Sequence, residues 1–261
     1  MREQSQADII RSVLVHTRLF ADCDKEAVDL VYDACELQHF ADGETLARFG
    51  DDAASVGGFW IIATGCLETS RNWANGKRIV YSYQMPGQLT AFLPVFDGAP
   101  VALDIVARGA VSAVFVPGAA FLDALRRYPA LALSVLATMS RRTRVDYNRI
   151  EMQALNSMRG NVAKILAYLA REKLQEGSGN ADLPFKISQE DLAGLLGVTR
   201  QNVNKEITWF VRQGILAWRY REVAIIDVGR LLEVAGSEEE LNDSAEAALL
   251  QSPDEFYLTS D

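Results

Sequence analysis

The stretch that decides the reading is Ile187–Arg230, ISQEDLAGLLGVTRQNVNKEITWFVRQGILAWRYREVAIIDVGR. Ser188 is a helix cap, and Asp191 three residues on can return the bond. Leu192, Leu195 and Leu196 repeat at helical spacing, and Ala193 is small where a second helix would cross closely. Gly197 permits a tight turn. Thr199 then caps another helix, on which Val203, Ile207, Phe210 and Val211 are spaced for burial. Two short helices meeting at a sharp turn make a helix-turn-helix. Behind them, Gly214–Ala217, the turn Trp218–Glu222 and Val223–Asp227 predict a two-stranded wing.

On the second helix Arg200, Gln201, Asn204 and Lys205 share the face left free by the apolar residues. Arg pairs bidentately with guanine, Gln and Asn with adenine, and Lys reaches guanine or phosphate. These residues lie in the N-terminal half, the part that enters a major groove. Ser188 and Thr199 join them as candidate DNA contacts. Arg219, Tyr220 and Arg221 on the wing suit phosphates. The competing reading is a winged helix used only as a protein-interaction scaffold, which has no need of such a face.

The net charge of −9 over 261 residues at first argues against nucleic acid. The charge is uneven, however. Residues 233–261 hold nine acids and no Lys or Arg; without those nine, 26 acids face 26 bases. The body is neutral, and the pattern on the second helix decides. The tail reads as a solvated appendage, as a competitor with DNA for the basic face, or as a segment that docks on a partner.

Upstream, Asn161–Leu174 predicts a helix and Pro129 to about Leu155 a long one, with Pro129 at its first turn. Apolar residues of the long helix fall in two stripes, so it must pack on two things. Leu131, Val135, Met139, Val145, Ile150 and Met152 are the candidates for pairing with a second copy. Between about Leu37 and Val116 the texture is short apolar or alternating runs, punctuated by turns such as Asn75-Gly76 and Pro86-Gly87. That predicts a roll or barrel. Residues 6–36 read as helical.

Three cysteines (Cys23, Cys35, Cys66) form no metal-binding spacing. No run approaches the roughly eighteen apolar residues of a membrane span, and the N-terminus lacks a secretory signal. A cytoplasmic location is expected. No nucleophile–base set, metal cluster or phosphate-cradling glycine loop points to an enzyme.

A strand-rich roll, a long dimer-type helix and a winged helix-turn-helix, in that order, resemble the CRP/FNR (cyclic-AMP receptor / fumarate–nitrate reductase regulator) family. The resemblance covers roughly residues 18–232 and is strongest at GVTRQNVNKEI, where the family's base-reading Arg falls on Arg200. Its other readers, often Glu and Arg, fall on Gln201 and Lys205. FWIIATGCLE, with Gly65 near its end, is similar to the family's signature at the start of the roll.

The resemblance implies an α+β chain: an arm (1–17), a double-stranded β-roll of jelly-roll or cupin-like type with flanking helices (18–128), a dimerisation helix (129–157), a winged helix-turn-helix (158–232) and an acidic tail (233–261). It implies a homodimeric transcription regulator on a pseudo-palindromic operator in double-stranded DNA, with RNA polymerase as a partner. Gly87–Val106 corresponds to the family's phosphate cassette. Aligned on Gly87 and Phe121 with a one-residue gap, the Glu of its Gly-Glu pair falls on Phe92. The Arg-Ser pair falls on Val101 and Ala102. A phosphate buried there lacks the counter-charge it needs, so no cyclic nucleotide is expected. Cys23 and Cys35 are too few for an iron–sulfur cluster, and His16 and His39 are the only histidines available to a haem. No cofactor and no metal are expected. Phe92, Leu93, Pro94, Phe96, Val101, Leu103, Tyr81 and Tyr83 remain. They line a pocket for an apolar or aromatic effector, or they fill the roll and the regulator is effector-independent.

Overall fold

The computed structural model describes residues 5–21, 23–73, 78–155, 157–170, 181–183, 186–219 and 221–236. Asn75-Gly76 and the acidic tail beyond Gly236 lie outside these. The chain divides into two units. One takes in the N-terminal residues up to Arg71 and Tyr83–Arg142; the other takes in Asn72–Ser82 and the chain from Thr143 onward.

The first unit opens with two helices where one helical region was expected. α1 (Gln6–His16) starts at a capping box between Ser5 and Asp8, and α2 is Lys25–Tyr32. The roll follows: β1 (Glu36–Phe40), β2 (Thr45–Ala47), a short α3 (Ala53–Val56), β3 (Gly58–Asn72), β4 (Arg78–Gln84), β5 (Leu89–Thr90), a short α4 (Pro94–Asp97) and β6 (Asp104–Pro117). The sheet runs in the order β1-β6-β3-β4, with β2 also on β6 and β5 also on β3.

Within the Leu37–Val116 region, the separate runs Phe59–Ala63 and Cys66–Arg71, and likewise Leu103–Ala107 and Ser112–Val116, are in fact two single long strands, β3 and β6. β3 joins Phe59–Ala63 to Cys66–Arg71 through an irregular register around Thr64. Gly65 lies there with φ +86°, and a Cβ on it would meet the Ala110 carbonyl oxygen at 2.4 Å. The glycine of the signature is therefore a bulge within a strand, not the end of one.

Alternation along β3 explains its nearly unbroken apolar run. Phe59, Ile61 and Ala63 join one core, with Val114, Val116, the N-terminal helices and Phe121 of α5 (Gly118–Arg127). Trp60 and Ile62 join a second core, with Leu67, Val101, Ile105, Ala107 and Val111. Both faces of the strand are covered, so polar alternation is absent.

α6 (Pro129–Leu155) is the expected long helix. α7 (Met158–Leu169) is buried from Gly160 onward. The short strand β7 (Ala181–Asp182) pairs with β9 (Glu222–Ile225), which pairs with β8 (Leu216–Arg219). The wing is thus three-stranded where two strands were expected, because two residues at the end of a polar stretch are recruited as an edge. α8 (Gln189–Leu196), α9 (Arg200–Arg212) and α10 (Val228–Ala235) complete the second unit.

Candidate nucleic-acid interface and ligand cassette

Local chemistry builds the helix-turn-helix as its residues predict. The Asp191 amide donates to Ser188 Oγ at 3.1 Å, and the Ser188 amide donates to Asp191 Oδ2 at 2.9 Å, closing the capping box of α8. Gly197 takes the left-handed conformation at the end of that helix. The Val198 amide then donates back to Ala193 at 3.0 Å. Thr199 caps α9 by accepting from the Asn202 amide.

Val203, Ile207 and Phe210 are buried against the core with Leu192, Leu195 and Leu196, whereas Arg200, Gln201, Asn204 and Lys205 are all exposed. Four donors and acceptors suited to base edges therefore share the open face of one helix, beside the amides of its N-terminus, which favour anions. Val211, spaced for burial, is instead exposed at 42%. It falls in the last turn of α9, where the chain turns away toward β8.

The other nominated contacts separate. Thr199 is exposed at the start of α9, and Arg219 is exposed on the wing. Ser188 is half-buried and its hydroxyl is committed to Asp191 Oδ2 at 2.6 Å, so it serves the cap instead of DNA. Arg221 lies 3.7 Å from Asp191 Oδ2. The same carboxylate accepts from Arg78 Nη1 at 2.7 Å. Burial opposes the Asp191 charge, but the Ser188 hydrogen bonds and the Arg78 guanidinium outweigh it and hold the carboxyl below its ordinary range. Sequence reading took Asp191 for a local cap only. Its partner Arg78 lies 113 residues away, and no local signal could have found it.

The cassette residues do not assemble into one pocket. Phe92 is buried and meets Phe59 edge to face at 4.8 Å between ring centroids, Phe96 at 4.9 Å and Phe121 at 5.8 Å. Val101 is buried in the other core, with Trp60 and Ile105. Its amide donates to Asp51 and its carbonyl accepts from Gly50, both at 2.9 Å. Leu93 and Phe96 are largely exposed, Pro94 is buried, and Leu103 is half-buried. Tyr83 is buried, and Tyr81 falls in the second unit. The shared pocket is corrected accordingly: Phe92 and Val101, on either side of α4, are buried in different cores. Ala91, at the place of the family's Gly-Glu glycine, has φ +56°, the left-handed region that glycine favours.

The expected dimer stripe also needs correction. Leu131 and Val135 are sealed in the chain's own first core, and Met139 packs against it. Val145, Ile150 and Met152 have side chains outside the described set. The open side of α6 carries Leu133 (67% exposed), Leu136 (61%) and Tyr147 (66%), with Ser140 and Thr143 also exposed between them. Two apolar stripes were legible; which one faced the roll was not.

Comparison with known proteins accounts for both halves. Residues 37–128 match the cyclic nucleotide-binding domain family. Residues 161–234 match the Crp-like helix-turn-helix domain family. The chain belongs to the CRP/FNR family of DNA-binding transcription regulators. It is 23% identical over 219 residues to the CRP-like cAMP-activated global transcriptional regulator of Mycobacterium tuberculosis, covering 84% of this chain and 96% of that one. It is also 23% identical over 232 residues to the transcriptional activator protein FnrL of Cereibacter sphaeroides, covering 85% and 90%. Among solved structures, FixK2 from Bradyrhizobium japonicum superposes with a TM-score of 0.64 at 18% identity, covering 78% of this chain and 98% of that one. A CRP/FNR family transcriptional regulator from Thermus thermophilus gives 0.60 at 21%, covering 77% and 99%. Regulators of this family bind DNA and dimerise. No described helix is long and apolar enough to cross a membrane.

Proposed function

We propose that this CRP/FNR regulator acts as a homodimer on a pseudo-palindromic operator, that it reads bases through Arg200, Gln201, Asn204 and Lys205, and that it does not respond to cyclic nucleotides. The observation that carries the first part is the exposed polar row of α9 above the buried Val203, Ile207 and Phe210. A protein-interaction scaffold has no use for such a row.

Pairing is supported by Leu133, Leu136, Ser140, Thr143 and Tyr147, which follow the three-four spacing of a coiled-coil seam on the open side of α6. A twofold pair would set two α9 helices about 34 Å apart, one turn of DNA. Acting from that operator, the dimer works on RNA polymerase. At the cassette, the buried Phe92 and Val101 support the effector-independent reading over the apolar pocket, since both are spent on the chain's own cores.

The test is a gel-shift titration on a duplex selected from random sequence. Arg200→Ala should weaken the selected site by about 1–3 kcal/mol and relax preference at one base position. An unchanged affinity would remove Arg200 from the reading face.

A further inference from the structure

We infer that Arg78 is a positioning residue for DNA binding: by pairing with Asp191 it leaves the wing's Arg221 available to a DNA phosphate. This rests on reading α9 and the wing as the DNA-binding surface.

The Asp191 side chain is 4% exposed and cannot stay charged there without a cation. Two guanidinium groups flank it. Arg78 Nη1 donates to Oδ1 at 2.7 Å. Arg221 Nη2 stands 3.7 Å from Oδ2, too far for a hydrogen bond. Oδ2 is already occupied, since it accepts from the Ser188 amide at 2.9 Å and from Ser188 Oγ at 2.6 Å. Arg78 is thus the hydrogen-bonded partner, and Arg221 makes a second, longer ion pair with no hydrogen bond. Arg221 Nε is buried and makes no hydrogen bond among the described residues, while a third of the side chain reaches solvent. Its backbone is fixed, because its carbonyl accepts from the Ile187 amide at 2.9 Å. A guanidinium with a fixed base and incompletely used donors is ready for a phosphate.

Docking of the segment that carries Arg78 has independent support two residues further on. A Cβ on Gly194 of α8 would come within 2.9 Å of the Val80 amide nitrogen. The start of β4 therefore lies flat on the first helix of the helix-turn-helix, and glycine is what permits the approach. If that segment lifts away, Oδ1 of Asp191 loses its cation. Arg221, already 3.7 Å from the same carboxylate, is then drawn in to replace it, and its charge is withdrawn from DNA. Docking and DNA affinity are coupled through one carboxylate.

The experiment measures fluorescence anisotropy of the full-length protein on a random-sequence duplex across a salt series, with circular dichroism confirming the fold of each variant. Arg78→Ala should bind about tenfold more weakly and lose about 0.9 from the salt slope, one phosphate contact. Arg78→Lys, which keeps the charge, should restore most of both. Gly194→Ala changes no charge and should reproduce the Arg78→Ala loss by pushing Val80 away. In an Arg221→Ala background, Arg78→Ala should have no further effect. Unchanged or tighter binding by Arg78→Ala overturns the inference. So does additivity with Arg221→Ala, which would mean that Arg78 touches DNA itself. A wild-type protein that binds no duplex would instead overturn the DNA-binding reading beneath it.

Discussion

The rings of Phe59 and Phe92 meet edge to face with their centroids 4.8 Å apart, in the middle of the roll's first core. Phe92, at the position the resemblance assigns to a ribose-binding carboxylate, is part of the hydrophobic interior. Millimolar cyclic AMP or cyclic GMP should therefore leave the melting temperature and DNA affinity unchanged. Phe92→Ala should cost about 3–5 kcal/mol of stability. Phe92→Glu should also be destabilising, because it buries a carboxylate among rings with the Arg142 guanidinium, 5.6 Å from the Phe92 centroid, as its nearby cation. Micromolar cyclic-nucleotide binding by calorimetry would contradict this placement.

Burial separates two kinds of substitution on α6. Leu136→Glu places a charge on the open stripe and should split the dimer without unfolding the roll. Leu131→Glu places one in the sealed core and should unfold the first unit. Native mass spectrometry and thermal denaturation together tell them apart. A Leu136→Glu protein that stays dimeric would show that the seam is elsewhere.

How much of this was legible depended on whether the determining contacts were local. The helix-turn-helix was, since a capping box, a left-handed glycine and helical spacing all fall within Ser188–Phe210. β3 was less so, because the Gly65 bulge has the composition of a turn while its neighbours continue the ladder with β6. For α6, periodicity located two stripes but gave no sign of which the roll would cover. Burial of Leu131 and Val135 depends on helices and strands far away in the chain. The role of Asp191 was hidden for the same reason: its cap is three residues away and its cation is in β4.

Asp191 also makes the second unit sensitive to acid in a defined direction. Its folded carboxyl titrates below the ordinary value of 3.8. The stability it contributes is therefore fully present above that value and is lost as pH falls through the lower, folded one. Arg78→Ala removes a cause of the depression, so its loss should begin at higher pH. Circular dichroism during acid titration should show the unfolding midpoint of Arg78→Ala above that of the wild type. Coincident midpoints would mean that Arg221 replaces Arg78 in full or that the ion pair adds nothing to the cap.

For Cys35 burial meets no such compensation, and the thiol is pushed up to about 12. The thiolate is the reactive form, so at pH 8 this residue should resist iodoacetamide in the folded protein and react on denaturation. Fast modification of Cys35 in the native state, read by peptide mass mapping, would reverse this. The Sγ–H donates to the Val31 carbonyl at 3.2 Å, which further favours the neutral form.

Glu68 on β3 is fully buried, and its Oε2 accepts from Arg108 Nε at 2.7 Å and from Nη2 of the same guanidinium. β3 and β6 are neighbouring strands, so the pair ties the two longest strands of the roll side chain to side chain as well as through the ladder. Desolvating both ions offsets much of their attraction, so the pair as a whole adds little over apolar residues of similar size. Removing one partner is another matter. Arg108→Ala leaves the carboxylate in the interior without this guanidinium and should cost about 3–5 kcal/mol. The paired change Glu68→Leu with Arg108→Leu should recover most of that loss, because no charge remains to be solvated. Urea denaturation of the two variants measures both values. A loss below about 1 kcal/mol for Arg108→Ala would show that water or another group reaches Glu68 when the guanidinium is gone.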